Sequence, residues 1–256
     1  MSDVLDRLIT PGRDLLARVD TAIADGGVPP GHPLVPLLRR VGVLPGEALE
    51  FIAGLDPDRL TGTVIELRAL ADRYSGHRTA ISAAVGSTSW QGAGATAFTL
   101  RWNALGEHLG DGESAHEPSM AGRIVAMISY LEELGVWMTA TRVSVAGVLC
   151  EALGSAEAVR VRSGHSPAGH GVAGSIGPGM VSGIGGLLGV GEPAGGHALA
   201  AATIGLRVLR AADAAISAGH RVSLRWLPRL GEVPFTPPKS DQPGGAEAQV
   251  VLPDAR

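Results

Sequence analysis

Eight histidines and one cysteine are the residues of this chain best suited to metal binding or nucleophilic chemistry. The histidines are His32, His77, His108, His116, His165, His170, His197 and His220. No two stand four apart with a glutamate between them, the spacing by which one helix face holds zinc and a general base. His165 and His170 fall in a glycine-rich stretch and read as solvated loop residues, not as ligands. Cys150 lies in VAGVLCEAL. It has no basic neighbour to lower its pKa and reads as a small buried hydrophobe on a helix. A single cysteine also excludes an internal disulfide and a CxxC metal site. Glu132 and Glu133 are adjacent, so a helix points them about 100° apart and they cannot work as a paired acid and base. They read as a solvated face. The glycines of 171–191 lack the Lys-Ser/Thr of a phosphate loop and follow no strand. No GxSxG elbow exists. The expectation is a non-enzymatic protein with no cofactor and no metal.

The elements that would have to position any site are helical. Alternating β-branched and aromatic runs are almost absent, while Ala, Gly, Leu and Val abound. The formal net charge of −4 offers no footprint for nucleic acid and no polybasic membrane anchor. Of the 21 basic residues only Lys239 is a lysine, the mark of a GC-rich bacterial coding sequence. MSDVLDRLITPGRDLL has no positive stretch followed by an apolar run, so no cleavable secretory signal is expected. Synthesis in the cytoplasm is expected, with any export by a route that needs no such signal.

Residues 1–56 read as short helices with explicit punctuation. Thr10 and Pro11 fit an N-cap and first turn, with Leu15, Leu16, Val19 and Ile23 on one face and Gly26 and Gly27 at the end. LVPLLRRVG ends at Gly42, and the next helix runs from Pro45 to Gly54. Asp56 can cap a long helix starting at Pro57. In it Leu60, Val64, Leu67, Ala71, Tyr74, Arg78, Ile81 and Val85 recur at steps of four and three, a heptad seam interrupted only by Arg78. GSTSWQG breaks it, and Ala95, Phe98, Trp102, Leu105 and Leu109 restart the stepping. Two seams joined by a short glycine-containing turn predict an antiparallel helical hairpin. Trp90 would cover the open end of the seam, and Gly92 would let the backbone turn. GDGESAHEP either kinks the second arm or ends it. Beyond it Ile124, Met127, Leu131, Leu134, Met138, Val145, Val148 and Ala152 carry helix to about Arg162.

The expected fold is all-α: an antiparallel hairpin or elongated helical bundle, with a glycine-rich linker and a disordered C-terminal tail. The expected divisions are 1–56, short N-terminal helices; 57–162, hairpin and bundle; 163–198, glycine-rich apolar linker; 199–227, a C-terminal helix; and 228–256, a Pro/Gly-rich tail. In the last helix Leu199, Ala202, Leu206, Leu209 and Ile216 are placed near one face.

Trp90, Gly92, Ala95, Ala97, Phe98 and Trp102, with a heptad seam before and a helix after them, resemble the WxG-type hairpin proteins of type VII (ESX) secretion. The resemblance covers roughly 57–110 and extends in weaker form to about 160. It implies a helical protein folded in the cytoplasm, paired with itself or with a related hairpin, and threaded out by a secretion ATPase or held by a chaperone of that pathway. Trp90, Gly92, Ala95, Phe98 and Trp102 become structural residues of turn and seam. The family's Tyr-x-x-x-Asp/Glu signal is absent: Tyr74 is followed by Arg78 and Tyr130 by Leu134. Either a partner supplies the signal or the chain keeps the fold without being exported.

A second function class rests on 164–206. Residues 164–191 carry no formal charge and are long enough to cross a bilayer as helix. Gly185 and Gly189 form a GxxxG pair. Glycine is weakly hydrophobic and Pro178 interrupts, so an apolar linker is the expectation and a membrane-inserting segment the alternative.

Overall fold

A computed structural model describes residues 3–111, 118–163, 194–231 and 235. The fold is all-α, and no strand occurs among the described residues. The helices are α1 (Val4–Gly26), α2 (Leu34–Val41), α3 (Pro45–Ala53), α4 (Asp58–Ser87), α5 (Ala93–Leu109), α6 (Met120–Leu153), α7 (Ala156–Ser163) and α8 (Ala194–Trp226), followed by a 3-10 turn at Leu227–Arg229. The chain divides into two compact units, one of Met1–Val64 with Tyr130–Arg225, the other of Ile65–Ser129 with Trp226–Arg256.

The first unit holds a continuous apolar core. Leu5, Leu15, Leu16, Val19 and Ile23 of α1 meet Leu34 and Leu37 of α2 and Ala48, Leu49 and Ile52 of α3. Val145, Leu149 and Ala152 of α6, Val161 of α7 and Ile204, Val208 and Leu209 of α8 complete it. Burial of these side chains from water is the main force holding the unit together. Among the described helices α6 alone is long and apolar enough to cross a membrane. Its last three turns supply Val145, Ala146, Leu149 and Ala152 to this core.

One buried cation ties three segments of this unit. The Arg142 guanidinium on α6 donates from Nε to Asp3 Oδ2 and from Nη2 to Asp6 Oδ1, each at 2.6 Å. Its Nη1 reaches the carbonyls of Ala53 and Leu55 at 2.8 and 3.0 Å. Asp3 and Asp6 also form the capping box of α1. The Arg142 guanidinium beside Asp3 holds that carboxyl below its ordinary pKa.

Several elements depart from the sequence expectation. α1 begins at Val4, not at Thr10–Pro11, and carries Pro11 inside the helix. Pro11 forfeits one backbone hydrogen bond, and the capping box with its grip by Arg142 holds the preceding turns in place. Helix does not run unbroken to Arg162: Gly154 and Ser155 interrupt it. The Ser155 hydroxyl donates to Ala152 O at 2.7 Å and accepts from Ala158 N at 3.2 Å, ending α6 and capping α7. α8 begins at Ala194, so the last residues assigned to the linker are helical. Its buried side holds Ala201, Ile204, Val208 and Ala212 together with the expected Ala202 and Leu209; the expected Leu199 and Ile216 are exposed. Cys150 is exposed, because the neighbouring Leu149 takes the core-facing position. Glu133 is not simply solvated: it accepts from Arg225 Nη1 of α8 at 2.6 Å. The rest of the linker, Gly185 and Gly189, the histidines 116, 165 and 170, and the tail 236–256 lie outside the described residues.

Candidate interaction surface

In the second unit the chain reverses between α4 and α5. Gly92 adopts φ 97° and ψ −178°, a region reached in practice only by glycine. It starts α5: the amide of Thr96 donates to Gly92 O at 3.1 Å. Two residues earlier, Trp90 folds back over the new helix. Its ring centroid lies 5.7 Å from that of Phe98, tilted by 48°. Between the arms is an open cavity of about 330 Å³, lined by Ile81, Ala84, Val85, Trp90, Ala95 and Phe98. Farther along, the Tyr74 hydroxyl donates to Leu109 O at 3.3 Å. Burial pushes the Tyr74 hydroxyl pKa up. The two arms are therefore antiparallel neighbours.

The faces turned toward each other follow the heptad register. On α4 within this unit Leu67, Ala71, Tyr74, Arg78 and Val85 are the partly buried positions. On α5 Ala95, Trp102, Leu105 and Leu109 are partly buried too. Arg78, the polar interruption of the heptad, shares the half-buried face, its long stem able to pack while its head reaches water. No residue of α5 is fully buried, unlike every major helix of the first unit. Trp90 is 56% exposed, Ile81 49% and Phe98 42%. Leu100 and Leu70 also stand exposed, Leu70 flanking the seam between Leu67 and Tyr74. All five turn and seam residues singled out in the sequence, Trp90, Gly92, Ala95, Phe98 and Trp102, fall at this reversal and along the first turns of α5.

The first unit carries a smaller groove of about 240 Å³, lined by Val43, Phe51, Leu55, Trp137, Ala215 and Ile216 among others. Trp137 is fixed there by its indole N–H, which donates to Ala215 O at 2.9 Å. Among the described residues Glu47 is the one ionisable side chain lining it.

Two charged positions escaped sequence reasoning. Arg142 is one; its partners stand more than 80 residues away in the chain. Asp20 is the other. Its carboxylate accepts from the Gly46 amide at 3.0 Å, satisfying one of the free N–H groups at the start of α3. Burial, with Glu47 nearby, pushes its pKa up to about 6. The Asp3–Asp6 spacing was a visible capping signal, whereas nothing local marks Arg142 or Asp20. Among the described residues no three His, Cys, Asp or Glu side chains gather into a metal-binding group. The chain matches no protein-family model, no curated protein and no solved structure.

Proposed function

We propose that this chain is a non-enzymatic interaction protein whose α4–α5 hairpin pairs with a second hairpin, its own copy or a related WxG-type one. The proposal extends to the pathway: the chain is a type VII (ESX) secretion substrate or an associated protein, handled by that system's ATPase or a chaperone. The observation that carries it is the incomplete cover of the two arms: Leu70, Ile81, Phe98 and Leu100 stand exposed. Both arms present apolar residues at heptad positions, and none on α5 is fully buried. A two-helix hairpin buries too little apolar surface to be stable by itself, so such a face calls for further helices over it. Pairing side by side into a four-helix arrangement covers both seams at once.

Sedimentation of the full-length chain tests pairing directly. A dimer at micromolar concentration is expected. Leu70→Glu, at an exposed flank of the seam, should shift it to monomer with unchanged helical circular dichroism. A wild-type chain that stays monomeric, alone and when co-expressed with each WxG-type hairpin of its own genome, overturns the pairing. Export is tested separately, by immunoblot of culture medium from strains with and without the secretion ATPase.

The alternative through 164–206 gains no support from the fold. Ala200, Ala201, Ala202 and Ile204, near its end, are committed to the core of the first unit. Withdrawing them would expose that core to water.

A further inference from the structure

The distal part of the hairpin differs in charge from its base. From 79 to 100, through the end of α4, the turn and the first half of α5, no residue carries a formal charge. The first charges met on going down the arms are cationic: Arg78, with Arg73 next, on α4 and Arg101 on α5. The first acids, Asp72 and Glu107, come only after them. Charge therefore changes along the hairpin, from an uncharged end to a basic band and then to mixed charge at the base. The lengthwise heptad stripe serves pairing through the sides of the arms. The uncharged end with basic residues behind it fits contact, end first, with an apolar layer that has an anionic surface.

We propose that residues 79–100 dock end-on against an anionic lipid surface. This goes beyond hairpin pairing and does not depend on it. The exposed apolar groups suit the contact: Trp90 at the apex, then Ile81 and Phe98, then Leu100, which is 60% exposed. Trp prefers the boundary between headgroups and acyl chains. The hydroxyls of this segment are largely satisfied within it. Thr79 donates to Ser75 O, Ser87 and Thr88 to Ala84 O, Thr96 to Gly92 O and Thr99 to Ala95 O. A hydroxyl already bonded to its own helix costs far less to take out of water. Residues 79–87 of α4 span about 13 Å at 1.5 Å per residue. Insertion by about 5–10 Å, the depth usual for interfacial elements, leaves the backbone of Arg78 and Arg101 a few ångströms outside the phosphates, a gap that their long side chains can bridge. Ser89 and Gln91 at the apex keep the contact in the boundary layer and argue against spanning.

The test is flotation of the full-length protein with phosphatidylcholine vesicles, with and without phosphatidylglycerol, at low and high salt. The expected result is flotation that needs phosphatidylglycerol and weakens with salt. Arg78→Gln and Arg101→Gln should each weaken binding about five-fold. Trp90→Ser and Leu100→Gln should weaken it at least as much while leaving helical circular dichroism unchanged; Leu100→Gln, at an exposed helical site, keeps the test valid if Trp90→Ser unfolds the turn. Leu70→Glu should float like wild type, so that a failure of hairpin pairing is read separately. The proposal is overturned if phosphatidylglycerol brings no flotation, or if the tip and arginine variants float as wild type. It is equally overturned if tip variants abolish pairing in a wild-type background that does not float, which would assign the tip to a helical partner.

Discussion

The hydroxyl of Tyr74 on α4 donates to the main-chain carbonyl of Leu109 at the last turn of α5, 3.3 Å away. The bond ties the far end of the second arm to the middle of the first. It also fixes register: as many residues separate Tyr74 from Val85 as separate Phe98 from Leu109, and Val85 and Phe98 line one cavity. The carbonyl would otherwise be one of the unpaired ends of α5. Tyr74→Phe keeps the ring and removes the donor. It is expected to cost about 0.5–1.5 kcal/mol in urea denaturation. Equal stability of the two proteins would show that water replaces the hydroxyl without loss.

Gly92 and Trp90 separate two contributions to the turn. An alanine Cβ at 92 meets nothing within 4 Å, so the whole penalty of Gly92→Ala is backbone strain at φ 97°. About 1–3 kcal/mol is expected for a non-glycine residue in that region. Trp90→Ala removes a half-exposed ring against Phe98, worth about 0.5–1.5 kcal/mol on top of the area the ring buries. Both variants should therefore lower the melting temperature, and only Trp90→Ala should remove the near-ultraviolet dichroism of the Trp90–Phe98 pair. A Gly92→Ala variant as stable as wild type would show that the turn does not need the glycine backbone.

The hairpin was legible because heptad steps, a glycine turn and a helix restart all act over a few residues. Seam positions Leu67, Ala71, Tyr74, Arg78 and Val85 are the ones the fold partly shelters, Arg78 included. Legibility failed where distant chain decided the outcome. Thr10–Pro11 is a sound local start signal, yet α1 starts at Val4 because Asp3 and Asp6 are held by an arginine from α6. Of the α8 stripe read from the sequence, Ala202 and Leu209 are buried and Leu206 is partly buried, whereas Leu199 and Ile216 are exposed because close packing takes Ala201, Ile204, Val208 and Ala212 instead. Exposure of Cys150 likewise follows from which side of α6 the other helices occupy.

Arg142 should be the most sensitive charged residue of the first unit. Its side chain is 8% exposed and makes four hydrogen bonds or ion pairs, to the N-cap and first turn of α1, to the last residue of α3 and to Leu55 beyond it. Arg142→Met fills similar volume but strands the Ala53 and Leu55 carbonyls and leaves Asp3 and Asp6 without their cation. A loss of about 2–4 kcal/mol is expected. Asp3, with its pKa held down, contributes stability that is present above its ordinary value of 3.8 and lost as pH falls through the lower folded value. Acid unfolding of wild type should thus lose its Asp3-dependent part in Arg142→Met.

Asp20 acts in the opposite sense and in another window. Its folded pKa of about 6 lies above the ordinary 3.8, so the fold favours its protonated form. Its contribution is greatest below 3.8, declines as pH rises toward about 6, and is flat beyond. Asp20→Asn retains an oxygen to accept the Gly46 amide and removes both the buried charge and its repulsion with Glu47. At pH 4 the variant and wild type should melt together. At pH 7 the variant should melt higher, by about 2–4 °C. A variant less stable than wild type at pH 7 would mean that the charge at the start of α3 stabilises the helix more than its burial costs.

Gly219 on α8 sits against the Trp137 ring of α6. An alanine Cβ there would lie 2.9 Å from ring atoms Cε2 and Cζ2, inside contact distance. The ring cannot simply step aside, because its N–H is bonded to Ala215 O. Gly219→Ala must either break that bond or push α8 from α6, and overpacking of this kind costs about 1–3 kcal/mol. The gain in helix propensity, about 1 kcal/mol, offsets only part of it. Gly147→Ala on α6 supplies the contrast, since nothing lies within 4 Å of its would-be Cβ and propensity alone should raise stability. The two alanines are expected to move the melting temperature in opposite directions, with a change in near-ultraviolet tryptophan dichroism for Gly219→Ala alone. If both raised it, the close approach of α8 to Trp137 would be wrong, and with it the walls of the groove that Trp137 and Ile216 share.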